Sequence, residues 1–195
     1  MSPTSTIAQW LSRLFHPFLV AAVALFLILW FSSVTLQDAI KWTLLSIAIV
    51  IVPSFTLLAI QYQRGSVTDL DISIREQRYK LYGLGAFSLL LLIVIGYTAN
   101  APTIFFACIY AAAIATLCGA LINKFVTKIS IHSAALAGVA SVMGFISPIS
   151  AVVSWVLWVI VGWARVHLEK HTISQILLGC AVAFASVWAV FGFYY

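Results

Sequence analysis

Apolar residues run through this chain in long stretches, separated by short polar ones. A helix crossing the hydrocarbon core of a bilayer needs about 20 consecutive apolar residues. Stretches of about that length cover 17–36, 40–62, 81–99, 103–122, 132–148, 149–164 and 172–194. Each is expected to be a helix, because lipid offers no partner for open backbone N–H and C=O groups. The pattern predicts an all-α, polytopic transmembrane helical bundle. It has seven spans, or six if the first lies in the interface. The fifth and sixth spans meet in a tight turn at Ser147-Pro148, and the sixth is read as the short one. Residues 1–15 are read as leading into a retained first helix, since no small-residue cleavage site stands there. Gly83, Gly85, Ala111 to Ala113, Gly138 and Gly144 suit close helix contact. Trp10, Trp42, Trp163, Tyr62, Tyr82, Tyr194 and Tyr195 sit near span ends, as interfacial aromatics do.

The polar residues gather at 61–80, 123–132 and 165–175. Two spans separate the first cluster from the second, and two more separate the second from the third. An even number of crossings returns the chain to the side it left, so all three clusters are expected on one membrane face. Arg13, Arg64, Arg75, Arg78, Lys80, Lys124, Lys128, Arg165 and Lys170 share that face, and Lys41 lies opposite. The excess of Lys and Arg in cytoplasmic loops then makes this face cytoplasmic.

Composition agrees with a lipid solvent. Of 195 residues, 64% are hydrophobic and 8% charged, far from the near-even apolar share and quarter-charged content of soluble domains. The length suits a single integral membrane domain spanning 1–195. A net charge of +5 without a basic run gives no reason to expect nucleic acid; an anionic lipid headgroup or membrane orientation explains it better. Cys108, Cys118 and Cys180 all lie in apolar stretches and are read as small packing residues.

Within the three clusters stand Arg75, Arg78, Lys128, Ser130, His132, Arg165, His167 and His171. Ionisable groups at a membrane boundary are costly to desolvate and point to function. Guanidinium forks bind phosphate oxygens in pairs, and imidazole serves as nucleophile or general acid near neutral pH. The clusters hold neither a carboxylate cage for magnesium nor a His or Cys spacing for zinc, so no metal and no cofactor is expected. His16 and His167 are read as interfacial or solvent-facing, and Asp69 and Glu76 as parts of a solvated loop, with Glu76 offsetting Arg75 or Lys80.

The segment Arg165-Val-His-Leu-Glu-Lys-His171-Thr-Ile-Ser-Gln175 resembles the third signature of the type 2 phosphatidic acid phosphatases: Ser-Arg, five residues, His, three residues, Asp. Lys128-Ile-Ser130-Ile-His132 is similar to the second, Pro-Ser-Gly-His. Arg78, in Asp71-Ile-Ser-Ile-Arg75-Glu-Gln-Arg78, stands for the Arg of the first, Lys, six residues, Arg-Pro. The resemblance covers about 61–179 in order, spacing and sidedness. It implies a membrane lipid-phosphate phosphatase, acting on phosphatidic acid or an isoprenyl diphosphate. His171 would attack phosphorus, and Arg78, Ser130 and Arg165 would hold its oxygens. His132 would protonate the leaving group. Asp71 replaces the lysine of the first signature, leaving Arg75 or Lys128 to supply the missing cation. Ile129, Ile131 and Ala164 replace Pro, Gly and Ser. Gln175 replaces the acid that orients the nucleophile: its carbonyl can fix the imidazole tautomer but supplies no charge. The alternative is a weakly active or inactive structural or accessory subunit on the same fold, with membrane-protein partners or further copies of itself. A transporter or channel is disfavoured, since no ionisable residue falls in mid-span.

Overall fold

The structure is a computed structural model that describes residues 2–32, 34–69 and 71–194; Tyr195, expected at an interface, lies outside them. The regular elements among these residues are helical. In chain order they are α1 (Pro3–Leu14), α2 (Pro17–Phe31), α3 (Leu36–Ser46), a π-helical turn (Ile47–Ile51), α4 (Val52–Gln63), a 3₁₀ turn (Arg75–Arg78), α5 (Tyr79–Thr98), α6 (Thr103–Phe125), α7 (Ile131–Ile146), α8 (Pro148–His167) and α9 (Ile173–Tyr194). Five stretches are long and apolar enough to cross a membrane among the described residues, or up to six if the bent pair α1 and α2 counts as one. The protein is thus built as a multi-pass helical membrane bundle.

Span boundaries differ from expectation in three places, each for a local reason. α1 and α2 meet at 49° because Pro17 lacks an N–H and pushes His16 out of the helical region, to φ −59° and ψ 136°. α2 ends at Phe31, and Thr35 starts α3 by accepting the Asp38 N–H at 3.1 Å. The sixth stretch is not the short one: α8 runs 20 residues, through Arg165 to His167, whereas α7 has 16. At about 1.5 Å per residue α7 measures about 24 Å, less than the bilayer core. α3, the π turn and α4 form one continuous stretch, Leu36–Gln63. Its widened turn precedes Pro53, which offers no N–H to the carbonyl four residues back.

α7 sits at the centre, packed against α2, α8 and α9; α6 packs on α5 and α9, and α1 lies across α8. The deepest contact is at Gly179, where a Cβ would stand 2.6 Å from the backbone oxygen of Ser130. Glycine therefore lets α9 touch the start of α7; two hydrogen bonds exploit the approach, and a third ties α8 to the same serine. Ser130 N–H donates to Gln175 O at 3.2 Å, Ser133 Oγ to Ile176 O at 2.7 Å, and Trp158 Nε1 to Ser133 Oγ at 2.7 Å. Of the small residues expected at contacts, a Cβ added at Gly138 would lie 3.8 Å from Ala183 Cβ and one at Gly85 3.9 Å from the Thr116 methyl, but at Gly83 and Gly144 it would meet open space. Trp42 faces the protein core instead of lipid. It is fully buried, its ring centroid 4.7 Å from that of Phe105.

Candidate active site

The three polar clusters meet at one end of the bundle. The 64–78 segment leaves α4 through a Schellman turn: Gly65 takes φ 66°, and Ser66 N–H donates to Gln61 O at 2.8 Å. Asp69 then organises the loop rather than merely facing solvent. Its carboxylate accepts from Asp71 N–H at 2.9 Å and Ser73 N–H at 3.3 Å, and lies 3.8 Å from Lys170 Nζ. Ile72, β-branched and buried, is held at φ 45°. A β-branched residue there is strained, and such strain concentrates at functional sites. Its carbonyl accepts Arg78 Nε–H at 2.8 Å, while Arg78 Nη1 donates to Ile129 O at the same distance. Arg78 thus bridges the first cluster to the second and is only 2% exposed.

Arg165, also 2% exposed, stands in the last turn of α8. Its Nη1 donates to Ser12 Oγ and to both carboxylate oxygens of Asp71, each at 3.2 Å. Asp71 therefore places an anion against the arginine. Arg165 Nε is buried and without a partner among the described residues. Nε and Nη2 form the edge with which a guanidinium grips two oxygens. Leaving such a donor unpaired costs about 1–3 kcal/mol, which an acceptor arriving at that edge would recover.

His171 follows α8 by four residues, and its N–H donates to Arg165 O at 3.3 Å. Its Nδ1 lies 3.1 Å from Gln175 Oε1. The same Oε1 accepts the backbone N–H of Thr172 at 3.3 Å, and Gln175 Nε2 donates to Thr127 Oγ1 at 3.2 Å. A backbone N–H can only donate, so Oε1 is the acceptor and His171 Nδ1 must carry the proton. Nε2 is left as the lone-pair nitrogen. Burial, with Arg165 and Arg78 close by, holds this histidine far below its ordinary range, at about 3. The imidazole is neutral and fixed in one tautomer, as a nitrogen nucleophile requires.

His132, buried in the first turn of α7, lies 3.1 Å through Nε2 from Ser12 O. A carbonyl only accepts, so His132 carries its proton on Nε2. His16 stands edge-on to it, with ring centroids 5.8 Å apart.

These groups share one cavity of about 420 Å³. Arg78, Arg165, His132, His171, Asp71 and His16 line its polar end, and the rest of its wall is almost wholly apolar. Four of the residues expected at the site line this cavity: Arg78, Arg165, His132 and His171. Gln175 stands behind His171. Ser130 does not reach the cavity wall; its hydroxyl caps α7 by accepting Ser133 N–H at 3.3 Å. Lys128 Nζ donates to Ser73 O at 2.8 Å, and burial pushes its ammonium below the usual lysine range. Arg75 pairs with Glu76 at 3.2 Å and donates to Val126 O at 3.1 Å. Both cations brace loops and do not line the cavity.

Three participants escaped the sequence reading: Ser12, His16 and the pairing role of Asp71. α1 shows small or polar Ala8 and Ser12 inward and Ile7, Trp10 and Leu14 outward. That amphipathic period is visible in the sequence, although its fold-back over the site is not. His167, by contrast, is exposed and stacked on Trp163, as its position suggested. Among the described residues no group of three or more His, Cys, Asp or Glu side chains is placed to hold a metal ion. No family model, curated protein or solved structure matches the chain.

Proposed function

We propose that this protein is a lipid-phosphate phosphatase using His171 as nucleophile, without metal. The observation that carries the reading is the neutral His171, its tautomer fixed by Gln175, beside the free edge of buried Arg165 at the polar end of an apolar cavity. A phosphate monoester fits both halves of that description. Its oxygens would take the Nε and Nη2 donors of Arg165, with Arg78 adding charge from the same polar end, and its hydrocarbon would occupy the apolar remainder.

The reaction divides into two displacements. Nε2 of His171 attacks phosphorus in line; the N–P bond forms as the ester P–O bond breaks, and Nδ1–H stays on Gln175. His132, protonated on both nitrogens once the anionic head group is bound, gives its Nε2 proton to the leaving alcohol and takes one back from the water that attacks next. Its Nε2–H is engaged by Ser12 O, so the entering head group must displace Ser12 first. Water then attacks the phosphohistidine, releasing phosphate and restoring the imidazole. Gln175 fixes the tautomer but gives no charge to the developing cation, which makes a slow enzyme the expected result. The concentration of Lys and Arg at this end of the bundle supports a site on the cytoplasmic face.

A second reading, an accessory subunit without turnover, is favoured by one observation. Asp71 and Ser12 already engage Nη1 of Arg165, and Ser12 engages His132. Phosphate release from lipid phosphates in the presence of a chelator separates the two. The phosphatase releases phosphate, loses it entirely in His171→Ala, and binds substrate more weakly in Arg165→Gln. Charge-assisted hydrogen bonds worth about 1.5–3 kcal/mol make that weakening roughly ten- to hundredfold. An accessory subunit releases none in any of the three.

A further inference from the structure

The apolar part of the cavity is deeper than a phosphate site requires. It begins at His132 and reaches Val142 ten residues along α7, and from Leu81 to Leu92 along α5. At about 1.5 Å per residue both paths run about 15 Å, half the thickness of a hydrocarbon core of about 30 Å. Its wall is built from the inner faces of the bundle, including Leu92, Ala111 and Val142, which are buried from solvent. Small residues on its wall keep it open: Gly85, Ala112, Gly138 and Ala183 all line it, and a Cβ added at Gly138 would meet only Ala183 Cβ, at 3.8 Å. At about 30 Å³ for a group of water size, 420 Å³ corresponds to roughly fourteen methylene-sized groups.

A second, shallower apolar hollow opens beside it. His16, Phe18, Ala22 and Ile51 line both. The shallow one lies between α2 and the π-helical turn, and its rim residues Leu19 and Phe55 are exposed on the outer surface. α2 packs inward on α6 and α7 and α4 packs on α5, so the two elements diverge here. π-helical insertions recur at functional sites, and this one stands at the junction of the two hollows.

We infer that the substrate is a single-chain lipid phosphate whose one hydrocarbon chain lies inside the helical bundle, reached sideways from the bilayer between α2 and the π turn. The inference rests on the reading of the polar end as a phosphate site and adds the class of lipid. A bore of this volume, walled by glycine and alanine, admits one chain. A two-chain lipid has to leave at least one chain outside, where nothing in this cavity selects for it.

Dodecyl phosphate carrying a diazirine at the end of its chain tests this without turnover. The full-length protein in lipid nanodiscs is irradiated with the probe, and the labelled residues are mapped by mass spectrometry. Labelling is expected on Leu92, Val142 and Val187, inside the bundle. It should fall to background in Gly138→Phe, where the first added carbon meets only Ala183 at 3.8 Å and the ring fills the bore. Gly138→Val, a milder filler, should move the label toward the polar end, so loss of signal through misfolding is separable. Label confined to lipid-facing residues such as Leu90, Val94 and Val153 would overturn the inference, as would equal interior labelling by a two-chain phosphatidic acid probe. Interior labelling that Gly138→Phe removes but Arg165→Gln leaves intact would keep the chain site and reject the phosphate reading.

Discussion

Both carboxylate oxygens of Asp71 lie 3.2 Å from Nη1 of Arg165, so the arginine in the last turn of α8 is paired from within the chain by a residue of the first polar cluster. The arginine is buried and the aspartate partly exposed. The pair therefore neutralises a desolvated charge without using the Nε and Nη2 edge.

Asp71→Asn separates these two consequences. Removing the carboxylate strands a buried guanidinium, so thermal stability should drop measurably in ligand-free protein. A bound phosphate replaces the lost charge, and inorganic phosphate should restore much of the melting temperature. Affinity for phosphate should rise by up to about 1 kcal/mol, or roughly fivefold, the upper range for a partly exposed pair. Thermal shift in matched chloride and phosphate buffers reads both, and destabilisation that phosphate does not relieve would speak against an anion site at Arg165.

The bond between His171 and Gln175 makes a prediction in pH. An imidazole held at about 3 keeps its Nε2 lone pair through the whole neutral range. The acid limb of kcat/KM due to this group should therefore fall near pH 3 instead of near the ordinary 6.5. Gln175→Glu puts a carboxylate where the amide oxygen now lies 3.1 Å from Nδ1. Negative charge favours imidazolium, so the acid limb should move up and turnover should increase as the developing cation gains a counter-charge. The same shift bears on stability. The unfolded histidine protonates first, so between about 6.5 and about 3 the unfolded chain binds more protons and stability falls as pH is lowered; above that window this group contributes nothing. His171→Gln should flatten this decline in a melting-temperature series.

Gly179→Ala tests how the site is assembled. The added carbon would lie 2.6 Å from Ser130 O, a backbone atom that cannot rotate away. α9 must retreat from α7, stretching the Ser130–Gln175 backbone bond and with it the support of His171. Overpacking of this kind costs about 1–3 kcal/mol. Activity should fall through kcat more than through KM, because the nucleophile is displaced while Arg165 on α8 is not. Steady-state kinetics beside thermal melting would reveal the split; unchanged kinetics would mean that the α7–α9 contact does not position His171.

Sidedness has its own check. Single cysteines replacing Arg64 and Lys124, both exposed and at the polar end of the bundle, should resist an impermeant thiol reagent in intact cells and react after lysis. Labelling from outside would reverse the orientation and leave the site's geometry untouched.

How much of this was legible in the sequence depended on the range of the interaction. Helical spans follow from hydropathy, and the meeting of Arg78, His132, Arg165 and His171 at one end follows from even crossing numbers and matched spacing. The hydrogen bond from His171 to Gln175 was readable too, since a residue four positions on, at the start of a helix, lies on the same side. The pairing of Asp71 with Arg165 was not, because residues 94 apart meet only through the strained turn at Ile72. Nor was the inward turn of Ser12, which depends on a bend at Pro17 whose direction no local rule sets. Trp42 shows the same limit: near a span end, tryptophan suits either an interface or a core, and packing against Phe105 decided it.

The most direct measurement of the central claim is detection of the covalent intermediate. Purified protein is mixed with a single-chain lipid phosphate in the presence of a chelator, quenched under alkaline conditions that preserve phosphohistidine, and its peptides are sequenced by mass spectrometry. A phosphoryl group is expected on His171, acid-labile, present in wild type and Gln175→Glu and missing in His171→Ala. A phosphoryl group on another residue, or lipid phosphate turnover that continues undiminished in His171→Ala, would contradict that claim.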